Sequence, residues 1–192
     1  MIVRESLEFK RGQNSKGALN VGHHSLIKKW LEKAEADGVL RDYEINEDFT
    51  IDTWGRVDFR ADENYEWWHG KNLPDYIQFN TAHKSRNDER STFDYFTIAG
   101  MGFTSLRGMP YKVEGDFVIN HNPLVYLDGC PKFIGRNFFL ENLKLKGSLN
   151  LKGVLPDTVG GNVYIFQSGL VDVQVEPAIP NLGGDVITKS YR

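Results

Sequence analysis

One pattern recurs down the second half of the chain and dictates how that half must fold. Phe117, Ile119, Asn122, Leu124 and Leu127 spell F-x-I-x-x-N-x-L-x-x-L. A step of 21 residues back, Phe96, Ile98, Phe103 and Leu106 hold the same places, with Met101 where the Asn falls. A step of 21 forward brings Phe138 and Leu140, followed by a longer and irregular loop. After 25 more come Val163, Ile165, Ser168, Leu170 and Val173, with Ser168 in the Asn place; after another 23 come Val186 and Thr188. Two apolar residues one position apart mark a short strand with one face turned inward. The later leucines close the core from the return path. A unit this small cannot bury its own apolar face, so the units have to stack.

A second feature travels with the first. Each strand follows an apolar residue, a small or polar pair, and Asp or Asn. The copies are Val113-Glu114-Gly115-Asp116, Ile134-Gly135-Arg136-Asn137, Val159-Gly160-Gly161-Asn162 and Leu182-Gly183-Gly184-Asp185, with Pro110, Pro131, Pro156 and Pro180 upstream. Two copies share more, Leu106-Arg107-Gly108-Met109-Pro110 and Leu127-Asp128-Gly129-Cys130-Pro131. Glycine admits tight backbone at such a corner, and the Asn side chain can bond main-chain groups at the turn that otherwise lack partners.

The strand pattern resembles the leucine-rich repeat, whose units run to roughly 20–29 residues. The longer wording L-x-G-x-P-x-x-V-x-G-D-F is similar to the repeat of many bacteriophage proteins. The leader is similar to theirs too: Phe9-Lys10-Arg11-Gly12, an amphipathic helix, then Tyr43-Glu44-Ile45-Asn46-Glu47-Asp48-Phe49-Thr50-Ile51-Asp52. The resemblance implies an α+β, β-rich fold. That fold is a short leucine-rich-repeat-like solenoid of stacked parallel strands with an N-terminal helix-and-hairpin cap. It implies no activity. A β-sandwich with coincidental spacing is the competing architecture.

On this reading residues 1–56 form the cap, with a helix over about 25–37 capped by Ser25 and stopped near Gly38, and a hairpin over about 43–53 turning at Asn46-Glu47-Asp48. Residues 57–95 form the first solenoid unit, with Val57 and Phe59 in its strand, Leu73-Pro74 closing it, and insertions. Residues 96–192 carry the repeats, with strands near 96–98, 117–119, 138–140, 163–165 and 186–188. The segment from Asn80 to Thr92, rich in Lys, Arg, Asp and Glu, reads as an exposed loop.

Chemistry is hard to find. There is a single cysteine, Cys130, so no disulfide framework and no zinc cluster is expected. His23 and His24 are adjacent rather than four apart on a helix, so no metal site is expected. Known motifs for nucleotides, hydrolytic triads and zinc proteases are missing, so neither a cofactor nor an enzyme is expected. With 23 basic and 26 acidic residues and a net charge of -3, nothing advertises nucleic acid. No stretch of about 18 apolar residues would span a membrane. No long apolar leader stands at Met1-Ile2-Val3-Arg4. A cytoplasmic protein is expected, in a bacterial host cell if phage-encoded.

The register predicts instead a binding face. Between the inward residues of each strand stands one that faces outward: Thr97, Val118, Phe139, Tyr164 and Ile187. Flanking rows run Tyr95, Asp116, Asn137, Asn162, Asp185 and Ala99, Asn120, Glu141, Phe166, Lys189. A protein partner is expected on Val118, Phe139, Tyr164, Phe166, Ile187, Asn120 and Glu141, because contiguous exposed apolar surface marks interaction sites. A covering loop would turn the same residues into secondary core. Tyr65, Trp67 and Trp68 offer a second anchor unless they fold back as core. The expected function is a protein-interaction module that binds and modulates a host or defence protein, a CRISPR component among the candidates. The alternatives are a structural or assembly protein that self-associates, for instance through its C-terminal end, and a nucleic-acid binder or enzyme without a recognisable motif.

Overall fold

The computed structural model describes residues 18–60, 65–86, 94–145, 151, 153–170 and 172–189. Phe9 to Gly12, Asp62 to Asn64, residues 87–92 and Tyr191-Arg192, together with the side chains of Tyr65 and Val173, lie outside the described residues.

The first element is a helix, α1 (Ala18–Ala36). Ile27, Trp30, Leu31 and Ala34 share one face of it at helical spacing, and all four are buried. The helix starts earlier than the sequence suggested, and Ser25 lies exposed inside it rather than capping it. Gly22 is tolerated there because a single helical glycine costs only about 1 kcal/mol against alanine. Gly38 ends the helix as expected, at φ +72°, with the Val39 N–H bonded to the Ala34 carbonyl at 2.8 Å.

β1 (Asp42–Ile45) and β2 (Ile51–Trp54) form the antiparallel hairpin. The Asp48 carboxylate accepts the Thr50 N–H at 3.1 Å and its hydroxyl at 2.7 Å, which locks the turn. β3 (Val57–Asp58), a one-turn helix α2 (Tyr65–Trp68), β4 (Phe79–His83) and β5 (Tyr95–Thr97) follow. From there each unit contributes two strands. They are β6 (Lys112–Val113) and β7 (Asp116–Val118), β8 (Phe133–Ile134) and β9 (Phe138–Phe139), and β10 (Thr158–Val159) and β11 (Val163–Tyr164). A short helix α3 (Asp172–Val175) precedes the last pair, β12 (Asn181–Leu182) and β13 (Val186–Ile187).

These strands build two sheets, one of seven strands in the order β1-β2-β4-β6-β8-β10-β12 and one of six in the order β3-β5-β7-β9-β11-β13. Every pairing except β1 with β2 is parallel. The molecule is therefore a β-rich parallel solenoid with an N-terminal helix. The six-stranded sheet is the one the repeat register anticipated. The seven-stranded sheet was not anticipated. Its strands run to two residues in the repeats, too short to show a period, although their inward members Val113, Ile134, Val159 and Leu182 are the apolar residues of the repeated leaders.

Two boundaries move as a result. β2 pairs in parallel with β4, so the hairpin's second strand already belongs to the solenoid rather than to a separate cap. Asn80 to His83 is not loop but the body of β4, with Thr81 and Ala82 buried. Its polar composition misled because its outward positions carry Asn and His.

The corner between the sheets is where coils stack most closely. A Cβ placed on Gly160 would strike the Gly135 carbonyl of the preceding coil, and one on Gly135 would strike the Glu114 carbonyl. A larger residue at Gly135 or Gly160 would have to displace that carbonyl. Inside, Phe96 packs on Phe117 and Phe117 on Phe138 with ring centres 6.1 and 5.7 Å apart. The column continues through Phe59 to Trp30 of α1 and to Trp68. The helix thus seals the N-terminal mouth of the solenoid with aromatic rings, as terminal repeats require.

Candidate functional site

Asn122 shows how the repeat holds its turns. It is buried, and its amide donates to the Ile98 and Ile119 carbonyls at 2.9 Å while its oxygen accepts the Phe103 N–H at 2.9 Å. Ser168, in the equivalent place, accepts the Leu170 N–H at 3.2 Å. One residue before that place, Gly100, His121, Asn142 and Gln167 all have positive φ. The side chains of that row tolerate a left-handed turn at modest cost, and the turn directs each chain off the strand at the same angle.

With the turns fixed, the outward row of the six-stranded sheet is fixed too. The register places Asp58, Thr97, Val118, Phe139, Tyr164 and Ile187 in one line. Its two ends differ. Asp58, Thr97 and the neighbouring Ala99 are buried, so the N-terminal end of the ladder is covered and is not available surface. Val118, Phe139, Tyr164 and Ile187 are half-buried. Phe139 and Tyr164 stack with centres 4.5 Å apart and planes within 6°. Phe166 is half-buried beside them.

The flanking rows carry hydrogen bonds along the stack. The Asp116 carboxylate accepts the Asn137 N–H at 2.8 Å, the Asn137 side-chain oxygen accepts the Asn162 N–H at 2.9 Å, and that of Asn162 accepts the Asp185 N–H at 2.9 Å. On the other flank Asn120 accepts the Glu141 N–H at 2.8 Å and donates to the Glu141 carboxylate at 3.0 Å. Asn120 and Glu141 are thus committed to each other and to the stack. A partner would meet them as rim rather than as free hydrogen-bonding groups.

At the covered end Asp58 is surrounded by donors. Arg56 reaches it at 2.7 Å, the Arg60 main chain at 2.9 Å and the Arg60 guanidinium at 3.1 Å, and the Tyr95 hydroxyl at 3.0 Å. Burial pushes this carboxyl up, but the hydrogen bonds and charge of Arg60, with the Tyr95 hydroxyl, more than offset it and hold the group below the ordinary aspartate range. Tyr95 is pushed up in turn, by burial first and then by Asp58.

The second predicted anchor divides. Trp68 is buried, stacks edge-on against Trp30 at 5.3 Å, and donates its indole N–H to Asp37 at 2.9 Å. It is core, because the indole ring fills the solenoid mouth while Asp37 satisfies its one polar atom. Trp67 stays 42% exposed, with the ammonium groups of Lys33 and Lys71 at 4.6 and 4.1 Å from its ring centre. The Tyr65 backbone opens α2.

Two features escaped sequence reasoning. A groove of about 580 Å³ runs between the return segments, lined by Gln78, Arg107, Tyr111, Asp128, Lys132 and Val154 among others. Tyr111 is an exposed aromatic at its edge. The repeated L-x-G-x-P wording was the only signal for it. Cys130 also borders this groove, and burial pushes its thiol well above the ordinary range despite Lys132, which disfavours the reactive thiolate. On the seven-stranded sheet, His83 lies 3.8 Å from Asp52 and 3.6 Å from Glu114, stacked on Trp54 at 5.0 Å. Only the alignment of β2, β4 and β6 brings these together. Among the described residues no group of three or more His, Cys, Asp or Glu is arranged to hold a metal ion. No described helix is long and apolar enough to cross a membrane.

No family model, curated protein or solved structure matches this chain.

Proposed function

We propose that the protein is a non-enzymatic interaction module that captures a protein partner on the half-buried stretch of its outward ladder, from Val118 to Ile187. The observation that carries this is the row Val118, Phe139, Tyr164 and Ile187. Four apolar or aromatic side chains lie half-exposed on consecutive rungs, with two of the rings in face-to-face register. Rigid parallel aromatics lose little conformational entropy when covered, and Tyr is enriched among residues that dominate binding. The polar rim of Asp116, Asn137, Asn120 and Glu141 is already hydrogen-bonded, which fixes the shape a partner meets. Trp67 is a secondary contact.

The resemblance of the repeat wording to phage proteins supports a phage-encoded module acting inside a bacterial cell. Its partner is then a host or defence protein, a CRISPR component included, whose activity binding modulates. The test is capture from a bacterial lysate with wild-type protein, a Phe139→Glu/Tyr164→Glu variant and a Phe133→Glu control on the other sheet. A host protein held by wild type and the control, and lost by the ladder variant, is the expected result. A partner retained equally by all three removes the ladder from the function.

A further inference from the structure

The six-stranded sheet ends at β13, which among the described residues pairs only with β11. Asp185 and Ile187 direct their carbonyls back to the N–H groups of Val163 and Ile165, at 2.9 and 3.0 Å. Main-chain groups alternate sides along a strand, so the N–H and C=O of Val186 and Thr188 face the open edge. The last rung is also less covered than those before it. Val159 and Val163 are buried, whereas Leu182 and Val186 are only half-buried and Thr188 is exposed. At the other end of the solenoid α1 supplies the missing layer; here α3 touches β13 from within the last coil, and no described strand pairs with the outer edge of β13.

The residues around this edge are arranged so that a copy of the same edge completes them. Ile187 sits between Asp185 and Lys189, two residues away on either side, and both charged residues are exposed. Asp185 is also the last described residue of the side-chain ladder: each Asx residue before it accepts the N–H of the next rung, and among the described residues no further rung follows Asp185. A two-fold axis through Ile187 would set two β13 strands antiparallel with Ile187 opposite Ile187 of the second copy. Val186 then stands opposite Thr188, the pair whose free main-chain groups can exchange both hydrogen bonds. The Ile187 pair falls at the non-bonded position, which its commitment to β11 requires. Asp185 falls opposite Lys189 of the second copy, twice over by symmetry, so unlike charges meet at both ends.

We infer that the open edge of β13 is a self-complementary interface, and that two copies of this chain join there end to end as a two-fold dimer. The apolar ladder would then run on across the axis into its symmetry mate. This inference does not rest on what the ladder captures, and its test uses the purified full chain alone, so either reading can fail without the other.

The experiment is sedimentation velocity over a wide concentration series on wild type, Asp185→Lys, Lys189→Asp, and the Asp185→Lys/Lys189→Asp double swap. These positions are exposed, and a thermal melt of each variant confirms that the fold is kept. A monomer–dimer equilibrium is expected for wild type. Each single swap should weaken it by about tenfold or more through like-charge contacts, and the double swap should restore it. A wild-type monomer at every concentration, an open-ended series of larger species, a dimer indifferent to single swaps, or a double swap that fails to rescue would each overturn the inference.

Discussion

The inward and outward rows of one sheet invite direct comparison. Phe96, Phe117, Phe138 and Val163 point in from the same strands that point Thr97, Val118, Phe139 and Tyr164 out. Spacing, register and much of the chemistry are shared, yet the first row is fully buried and the second is buried only at Thr97. The Phe117–Phe138 rings lie at 26° to each other, whereas Phe139 and Tyr164 lie within 6° of parallel. Stacking of strands therefore aligns side chains on both faces alike, and whether a row becomes core or surface depends on what lies over it.

The sharpest way to probe that difference is truncation. Phe117→Ala should cost about 3–5 kcal/mol, as for large-to-small changes in a closed core, and chemical denaturation would show it. A loss under about 1 kcal/mol would mean that the inner row is not packed as described. Gly160→Ala should cost about 1–3 kcal/mol by overpacking the corner against the Gly135 carbonyl; an unchanged melting temperature would contradict the close approach. Asn122→Ala takes the side-chain partner from the Ile119 carbonyl and the Phe103 N–H, while the Ile98 carbonyl keeps the Met101 N–H, and should cost about 1–3 kcal/mol, measured the same way.

The covered end of the outward row adds a pH signature. Asp58 is held below its ordinary pKa, so its contribution to stability is present above the unfolded aspartate value and is lost as pH falls through the lower, folded one. Acid titration of the unfolding free energy should accordingly flatten in Asp58→Asn relative to wild type, in the range beneath the ordinary aspartate pKa. Parallel acid profiles would remove Asp58 as a contributor. The smallest stability effect belongs to the half-buried rungs of the outward row. Phe139→Ala should change stability by less than about 1.5 kcal/mol, well short of its inward neighbour Phe138→Ala, because its ring is only half-buried. Equal losses at Phe138 and Phe139 would show that both rows are core.

Much of this was legible in the chain. The F-x-I pairs located the six-stranded sheet, Asn122 announced the turn it bonds, and Gly38 marked the end of α1. The two-residue strands of the other sheet were not legible, since two residues have no period and their partners lie a full coil away. β4 hid behind Asn80 and His83, whose polarity suits an outward strand position as well as a loop. Trp67 and Trp68 were indistinguishable as letters; Asp37, distant in sequence, takes the indole of one and leaves the other outside.

The sequence by itself determined that units of this length must stack and which residues in each strand face in, because a repeating apolar pair admits only one register that buries it. Only the tertiary structure decided that each unit bends into two sheets at a glycine corner, that the outward ladder is covered at Asp58 and Thr97 but only half-buried from Val118 to Ile187, and that β13 is the last strand of the six-stranded sheet among the described residues. Those outcomes depend on contacts between residues a coil or more apart, which local pattern does not encode.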